Sequence, residues 1–336
     1  TDVAKAYILY RKQREKVREG RTLYSIFGKN ASEERSEKSA LFEYAELCLV
    51  LDLNYGMKED LGVSRGFDAF FTHMGLYEPL TGTNISAYRT ALKDLSEKYF
   101  ANAVIPDKDN SYEEIGNTAF VTITAFTDAG LDMTSPEVSG NLESYIAKDT
   151  ISLITYADRQ ITRPGSPVEN VVIDISVSGG YDLKAEAYLL SWVLGSAEFN
   201  TKDVTSDIYR TVKYTCDINA DGQLTDADHL DLNKYSVSCI IGSGTRDGAN
   251  IASGAMKSAE EITLVGRTTG GGAHNILTWV SDSGDALEFA GLREFFTVKA
   301  ASHISLAAGV EPDVYLKDMS LVEDRGAIAE YLADIR

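Results

Sequence analysis

The second half of the sequence alternates between short apolar runs rich in β-branched residues and stretches with helical periodicity. Residues 118–126 and 171–175 are runs of the first kind, which predict buried strands. Helical patterns at residues 182–194 and 250–258 each follow a strand and a glycine-containing turn. This alternation predicts a layered α/β core.

The N-terminal part has a different pattern, with many charged side chains and apolar positions that recur every three or four residues. Residues 41–51 show this spacing clearly, and Ser36 or Ser39 is positioned to cap the helix. We therefore expect residues 2–99 to be mainly helical.

A domain boundary is expected at the polar turn 106–110, which follows a second helical pattern over residues 85–99. The sequence thus predicts a helical domain over residues 1–109 and a core of α/β (α+β) class over residues 110–336.

The composition is that of a globular protein and excludes two classes of partner. With 336 residues, 44% hydrophobic and 25% charged, the chain is long enough for one large domain or two modest ones. A net charge of -19 and a pI near 4.6 argue against nucleic acid and anionic membranes, which attract cationic proteins. No run of about 18 apolar residues is present, so we expect no membrane span.

Three cysteines, Cys48, Cys216 and Cys239, are too scattered for a disulfide framework, and no CxxC pair indicates a zinc cluster. At most one disulfide is expected. Because the chain begins with Thr1 and shows no basic-then-apolar leader, we expect a mature form.

Residues 217–228 match the first half of the D-x-[DN]-x-[DN]-G calcium-loop pattern. Oxygen atoms at alternate positions of such a loop are the hard ligands that Ca²⁺ prefers. The predicted ligands are the side chains of Asp217, Asn219, Asp221 and Asp228, the backbone carbonyl of Gln223, and Thr225 through a water molecule. Gly222 permits the sharp turn, and Leu224 is expected to point inward.

Asp228 occupies the position where a bidentate glutamate is usual, so we expect smaller or weaker coordination than in an EF-hand. The alternative is an acidic turn whose Asn and Asp side chains bond their own backbone. A bound calcium ion would be structural. It would suit an extracellular or cell-envelope protein, because calcium is abundant outside the cell.

Three motifs of the predicted core contain the residues for a chemical site. Residues 171–180 (VVIDISVSGG) read as a buried strand that ends in a glycine turn. Residues 237–255 read as a strand, a tight turn and a helix, and residues 264–273 (LVGRTTGGGA) contain three consecutive glycines. Residues 309–313 (GVEPD) follow later in the chain.

In order and spacing, these motifs resemble those of the S41 family of serine peptidases, over about residues 112–316. The family includes the C-terminal processing, tail-specific and tricorn-like peptidases. The resemblance implies a ClpP/crotonase-like layered core and hydrolysis of polypeptides. The helical start of the chain is similar to the amino-terminal domain of tricorn-like bacterial members.

The first motif resembles the D-x-R-x-N-G-G turn, whose backbone amide helps to form the oxyanion hole of the family, and the third resembles G-x-x-T-x-G-x-G. Acyl transfer requires a nucleophile at a strand-to-helix turn, a base, and amides directed at the oxyanion. Gly179, Gly180 and Gly248 are the predicted amide donors, because glycine leaves the approach unobstructed.

The nucleophile and the base depart from the family pattern. Aligned without gaps, residues 244–251 lie over G-[ST]-A-S-A-S-E-I, which places Asp247 in the serine position. A carboxylate is a poor acyl acceptor from an amide, because attack would give a mixed anhydride. The lysine base of one branch would fall at Gly272, and the histidine base of the other near residues 99–104, which contain no histidine. The sequence thus predicts a peptidase scaffold without its catalytic pair.

Two alternatives to this interpretation remain open. If the chain has a different serine site, Ser243 or Ser253 would be the nucleophile and His274 the base, although His274 also fits a solvated loop histidine. The second alternative is an unrelated α/β protein.

We therefore expect a protein of the S41 peptidase type that acts on or binds extended polypeptides, with catalysis impaired at Asp247. The main chain of the polypeptide would pair with a strand edge while a terminus enters the glycine-lined site. The alternative is a non-catalytic peptide-binding or scaffolding module on the same fold. The sequence indicates no oligomeric state.

Overall fold

The computed structural model describes residues 35–100, 108–299 and 302–335. The helical pattern expected before residue 35 and residues 106 and 107 of the turn predicted at 106–110 lie outside these ranges. Contacts divide the chain into two units, one formed by Thr1–Asn102 with Ile276–Leu292 and the other by Ala103–Asn275 with Arg293–Arg336. The sequence analysis assigned residues 276–292 to the core, whereas their contacts belong to the helical unit.

Between residues 35 and 100, the helical unit contains four α-helices and a final π-helical turn. They are α1 (Glu37–Asn54), α2 (Phe67–His73), α3 (Tyr77–Thr81), α4 (Ile85–Asp94) and the π-helical turn Leu95–Tyr99. Ser36 is the residue that caps α1, since its hydroxyl oxygen accepts a hydrogen bond from the Ser39 N–H at 3.1 Å. The pattern over residues 85–99 is therefore one continuous helical segment that widens in its last turn.

The core of the helical unit is rich in aromatic side chains. Leu47 and Leu51 of α1 pack with Phe67 and Phe71 of α2, and all four are almost completely buried. Trp279 and Phe289, from the segment Ile276–Leu292, belong to the same cluster. These apolar side chains explain why a segment so distant in sequence belongs to the helical unit.

The second unit is built on a six-stranded sheet. Its strands are β1 (Ser111–Ile115), β2 (Thr118–Thr122), β3 (Asn170–Asp174), β6 (Ser236–Ile241), β7 (Thr263–Gly266) and β11 (Val314–Tyr315). Their order is β1-β2-β3-β6-β7-β11, and every pair is parallel except β1 with β2. Both strands predicted from the apolar runs, β2 and β3, lie next to each other in this sheet.

Both faces of the parallel sheet are buried, as the continuous apolar runs predicted. Val171 and Ile173 belong to the large cluster on one face, and Val172 between them belongs to a smaller cluster on the other. The helices of this unit are α5 (Pro136–Ser139), α6 (Thr150–Thr162), α7 (Leu183–Leu194), α8 (Gly248–Ala259) and α9 (Arg325–Asp334). Side chains of α6, α7 and α8 cover the first face, and α9 covers the second. The predicted α/β class is confirmed.

A second sheet is antiparallel and was not predicted. It contains β4 (Ala197–Asp203), β5 (Tyr209–Tyr214), β8 (His274–Val280), β9 (Ala286–Lys299) and β10 (Ser302–Ser305). Its order is β10-β9-β4-β5, with β8 also paired to β9. Short 3-10 turns occur at Leu142–Ser144, Asp226–Asp228 and Met319–Glu323. Within the described ranges no helix is long and apolar enough to cross a membrane, and the three cysteines are free thiols.

Two leucines of α1 provide a test of the helical core. Leu47 is 1% exposed and Leu49 is 52% exposed. We expect Leu47→Ala to lower the free energy of unfolding by about 2–5 kcal/mol, because it removes apolar contacts and leaves a cavity. Leu49→Ala, the matched control, should change it by no more than about 0.5 kcal/mol. Urea unfolding followed by tryptophan fluorescence measures both, and equal losses would contradict this packing.

Candidate active site

Three turns meet at one edge of the parallel sheet. Residues 174–180 follow β3, residues 242–247 follow β6 and residues 266–272 follow β7. Because these three strands are neighbours and run parallel, their carboxyl ends lie at the same edge. The three sequence motifs, separated along the chain, are thus brought together by the sheet.

Backbone hydrogen bonds join the three turns directly. The Arg246 N–H donates to the Ser178 carbonyl at 2.9 Å, and the Asp247 N–H donates to the Gly271 carbonyl at 3.1 Å. Inside the second turn, the Thr245 hydroxyl donates to the Ile175 carbonyl at 2.7 Å. The middle turn is therefore held to both of its neighbours.

Asn250, in the first turn of α8, holds the glycine run 270–272 in place through its side-chain hydrogen bonds. Its Nδ2 donates to the carbonyls of Gly272 and Leu306 at 2.7 and 2.9 Å. Its Oδ1 accepts from the Thr269 hydroxyl at 2.6 Å, and that hydroxyl oxygen accepts from the Val310 N–H at 2.6 Å. Asn250 is completely buried, so this network holds the glycine turn and residues 306–310 against the helix.

Asp247 immediately precedes α8 and has an unusual backbone conformation, with φ 53° and ψ -118°. Such a conformation is unfavourable for a residue other than glycine and is found where the surrounding structure enforces it. A Cβ atom added to Gly272 would lie 2.5 Å from Asp247 Oδ1. The structure therefore brings together the two positions that the alignment assigned to the nucleophile and to the lysine base.

Two of the predicted oxyanion donors make other hydrogen bonds in this conformation. The Gly248 N–H donates to the Gly180 carbonyl at 3.0 Å, and the Gly179 N–H donates to the Thr124 carbonyl at 3.3 Å. An oxyanion hole needs such donors directed at the position of the developing charge. The Gly180 carbonyl thus occupies the direction in which the Gly248 amide would have to bind an oxyanion.

No protein-family model and no curated protein matches the sequence, but solved structures do. A lipoprotein from Streptococcus agalactiae is 13% identical, with 87% of this chain and 96% of that chain covered and a TM-score of 0.54. A "putative peptidase" from Parabacteroides merdae is 12% identical, with 90% and 96% covered and a TM-score of 0.53.

The photosystem II D1 C-terminal processing protease is also among the matches, with 17% identity, 59% of this chain covered and a TM-score of 0.42. The present chain spans 42% of the length of that protease. At these identities the likeness concerns the fold. The chain shares the fold of the Streptococcus agalactiae lipoprotein and of the Parabacteroides merdae "putative peptidase". The resemblance predicted from the motifs is confirmed at that level.

The alternative serine and histidine residues of this S41-type fold have different surroundings. Ser243 is exposed in the turn after β6. Ser253 is fully buried within α8, and its hydroxyl donates to the Ala249 carbonyl at 2.7 Å. Ser253 therefore does not fit the role of a nucleophile in this conformation, because its hydroxyl is bonded to the backbone of its own helix. His274 is the first residue of β8 and is 8% exposed, which corrects the reading of a solvated loop histidine.

Sequence reasoning missed Glu186, a buried carboxyl beside the site. Glu186 lies in α7 and is completely buried, and neither of its carboxyl oxygens has a hydrogen-bond partner among the residues described. A Cβ atom added to Gly248 would lie 2.2 Å from Glu186 Oε1. Burial, followed by the charges of Asp182 and Asp247, holds the pKa of this carboxyl well above its usual range. An acidic residue on the apolar face of a helix was the available indication in the sequence.

The loop 217–228 has the compact hydrogen bonding of a calcium-type loop. The Asp217 carboxylate accepts from the backbone N–H groups of Asp221 and Gly222 at 3.1 and 2.7 Å. Asn219 Oδ1 accepts from the Asp221 N–H at 2.8 Å, and Asp221 Oδ1 from the Gln223 N–H at 2.8 Å. These bonds orient the odd-numbered oxygens, but they equally describe a series of Asx-turns.

Asp228 closes this loop from inside the protein. It is 3% exposed, and its two oxygens accept from the N–H groups of Ile218 and Thr225 at 2.9 and 2.7 Å. Leu224 is 61% exposed, so the expectation that it points inward is wrong. Over the described ranges no group of three or more His, Cys, Asp or Glu side chains is arranged to hold a metal ion. The loop supplies oxygen ligands of the kind that calcium prefers. Asp228 Oδ1 also accepts from the Asn219 N–H at 3.4 Å, so Oδ2 is the Asp228 oxygen that retains a lone pair for an ion.

Asn250 provides a test of how the site is held together. In Asn250→Ala the buried carbonyls of Gly272 and Leu306 lose their donor. We expect the free energy of unfolding to fall by about 2–4 kcal/mol, since an unsatisfied buried polar group costs about 1–3 kcal/mol. Hydrogen exchange should accelerate in the turn 269–272. The control is Asn233→Ala, an exposed side chain, and a site variant that behaves like this control would contradict the network.

Proposed function

We propose that this protein binds extended polypeptides at the carboxyl edge of its parallel sheet and does not cleave them by serine-peptidase chemistry. The observation that carries the proposal is the pairing of Asp247 with Gly272 at the positions of the nucleophile and the base. A carboxylate is a poor acyl acceptor, and glycine has no side chain that could act as a base. The Gly180 carbonyl on the Gly248 amide adds to this impairment.

A free strand edge that leads to the site supports polypeptide binding. Strand β10 is the terminal strand of the antiparallel sheet within the described part of the chain, and its four residues are exposed. The residues that follow it contact the site, because Leu306 bonds Asn250 and the Ala307 carbonyl would lie 2.4 Å from a Cβ atom on Gly271. An extended chain that adds to this edge would form main-chain hydrogen bonds and run towards Asp247.

The location of the protein is also a proposal. An extracellular or cell-envelope protein would agree with the acidic composition and with the calcium-type loop. The likeness in fold to a lipoprotein from Streptococcus agalactiae is in keeping with this location. The expected partner is a polypeptide.

A combined cleavage, labelling and binding assay tests the proposed function. We expect unfolded casein to bind without being cleaved, and a serine-reactive fluorophosphonate to leave the protein unlabelled. Electrophoresis reads cleavage and labelling, and fluorescence anisotropy of dye-labelled casein reads binding. Ser243→Ala is the control, since Ser243 is the exposed serine of the site, and it should behave like the wild type. Labelling that disappears in Ser243→Ala would overturn the inactive site, and absence of casein binding would overturn the binding function.

We propose, as a second and separate point, that the loop 217–228 binds calcium as a structural ion. The ligands would be the side-chain oxygens of Asp217, Asn219, Asp221 and Asp228 with the carbonyl of Gln223. The loop connects β5 to β6, and β6 leads into the turn that ends at Asp247. The ion would therefore fix an insertion next to the site and take no part in its chemistry.

Calcium titration by calorimetry tests this second point. It compares the wild type with one variant at a predicted calcium ligand and one variant at a residue of the same loop that is not a predicted ligand. We expect saturable heat for the wild type, loss of that heat in Asp221→Ala, and an upward shift of the unfolding temperature when calcium is present. Asp226→Ala is the matched control, because Asp226 is an exposed acidic residue of the same loop and is not a predicted ligand. Equal heats for the wild type and Asp221→Ala would contradict calcium binding and support the alternative, an acidic turn that holds no ion.

A further inference from the structure

Glu186 is a buried acidic group that nothing in the fold explains. It is completely buried, and both of its carboxyl oxygens lack a hydrogen-bond partner among the described residues. Burying a polar group without a partner costs free energy, so such groups in folded proteins are few and call for a functional cause. A ligand with hydrogen-bond donors or a positive charge would remove this cost.

The position of Glu186 connects it with the candidate site. Its Oε1 lies so close to Gly248 that a Cβ atom there would be 2.2 Å away, and the Gly180 carbonyl would be 3.0 Å from the same atom. Gly248 follows Asp247, whose side chain is partly exposed. The buried Glu186 carboxyl therefore lies beside Gly248, next in the chain to Asp247, which a bound polypeptide would contact.

The charges around Glu186 are negative. Burial is the main cause of the raised pKa of Glu186, and Asp182, at the start of the same helix, and Asp247, before α8, raise it further. Burial is also the main cause of the raised pKa of the Tyr181 phenol, to which Glu186 adds. Arg293 acts in the opposite sense on Tyr181. Glu186 is thus held protonated by burial and by like charges, and a cation placed at Asp247 would favour its ionised form.

We propose that Asp247 and Glu186 together form a binding site for a primary ammonium group, either the α-amino group of a polypeptide or the side chain of a lysine. This inference rests on the proposed binding of polypeptides and names the group that the site selects. An ammonium group carries three donors and one positive charge, which complement two neighbouring carboxyl groups. A carboxylate terminus would be repelled by the Asp247 carboxylate.

Binding at such a site is coupled to the loss of a proton. The bound cation lowers the pKa of Glu186 from its raised value, so between the bound and free pKa values the carboxyl releases a proton when the ligand binds. Affinity therefore increases as the pH rises through this interval, as long as the ammonium group of the ligand stays protonated. Each pKa unit of lowering strengthens binding about tenfold.

Three octapeptides that differ in one amine test the site and distinguish its two sources of ammonium. The first has a free α-amino group and no lysine, the second is acetylated and contains one lysine, and the third is acetylated with norleucine in place of that lysine. Calorimetry in two buffers of different ionisation enthalpy measures affinity and proton release together. We expect at least one ammonium peptide to bind about tenfold or more tightly than the third peptide, with net proton release.

Variants separate this coupling from a merely structural role. Glu186→Gln imitates the protonated acid, so the fold should persist while proton release and the rise of affinity with pH disappear. Asp158→Asn is the matched control, because Asp158 is another buried carboxyl with a raised pKa, bonded to Trp192 Nε1 at 3.0 Å. It should leave proton release unchanged. If the tighter peptide releases protons equally in Glu186→Gln, the role of Glu186 is wrong.

Two failures remain distinguishable in this experiment. If all three peptides bind equally and without proton release, the ammonium site is wrong while the proposed polypeptide binding stands. If none of the peptides binds and casein does not bind either, the proposed function itself fails.

Discussion

The parallel pairing of β3, β6 and β7 is the constraint on which the candidate site depends. Each of these strands ends at the same edge of the sheet, so the turns after them have to share one small volume. Backbone atoms approach closely there, and a Cβ atom added to Gly270 would lie 2.4 Å from the Ser243 carbonyl. Glycine is required at this position because the neighbour is backbone, which cannot move aside.

The same crowding explains the two unfavourable features of the site. Asp247 has a left-handed φ because its N–H is directed at the Gly271 carbonyl while α8 begins at the next residue. Glu186 packs against Gly248, and its carboxyl oxygens have no hydrogen-bond partner among the residues described. Strain and unsatisfied polar groups persist where the surroundings over-determine them, and they are concentrated at functional sites. Their occurrence at neighbouring positions supports a site that still binds a ligand.

The sequence predicted the elements whose residues are repetitive and buried. The apolar runs gave β2 and β3, and the pattern 182–194 corresponds to α7 (Leu183–Leu194). In the antiparallel sheet, β5 and β10 were missed because all of their residues are exposed, so no alternation marks a buried face. The contribution of Ile276–Leu292 to the helical unit was missed because it depends on Trp279 and Phe289 packing with helices more than two hundred residues earlier.

At the site, the alignment was informative about position and uninformative about hydrogen bonds. The two positions that it assigned to the catalytic pair, Asp247 and Gly272, are close together in the structure. Each position lies a few residues after the end of a strand, so the sequence spacing was sufficient to locate it. The alignment did not indicate that the Gly248 amide donates to the Gly180 carbonyl, since that bond depends on the orientation of one peptide plane. Gly180 has φ 80°, a conformation in which glycine is unstrained. This bond agrees with the proposed binding function: if no acyl intermediate forms at Asp247, the Gly248 amide has no oxyanion to stabilise and contributes to the fold instead.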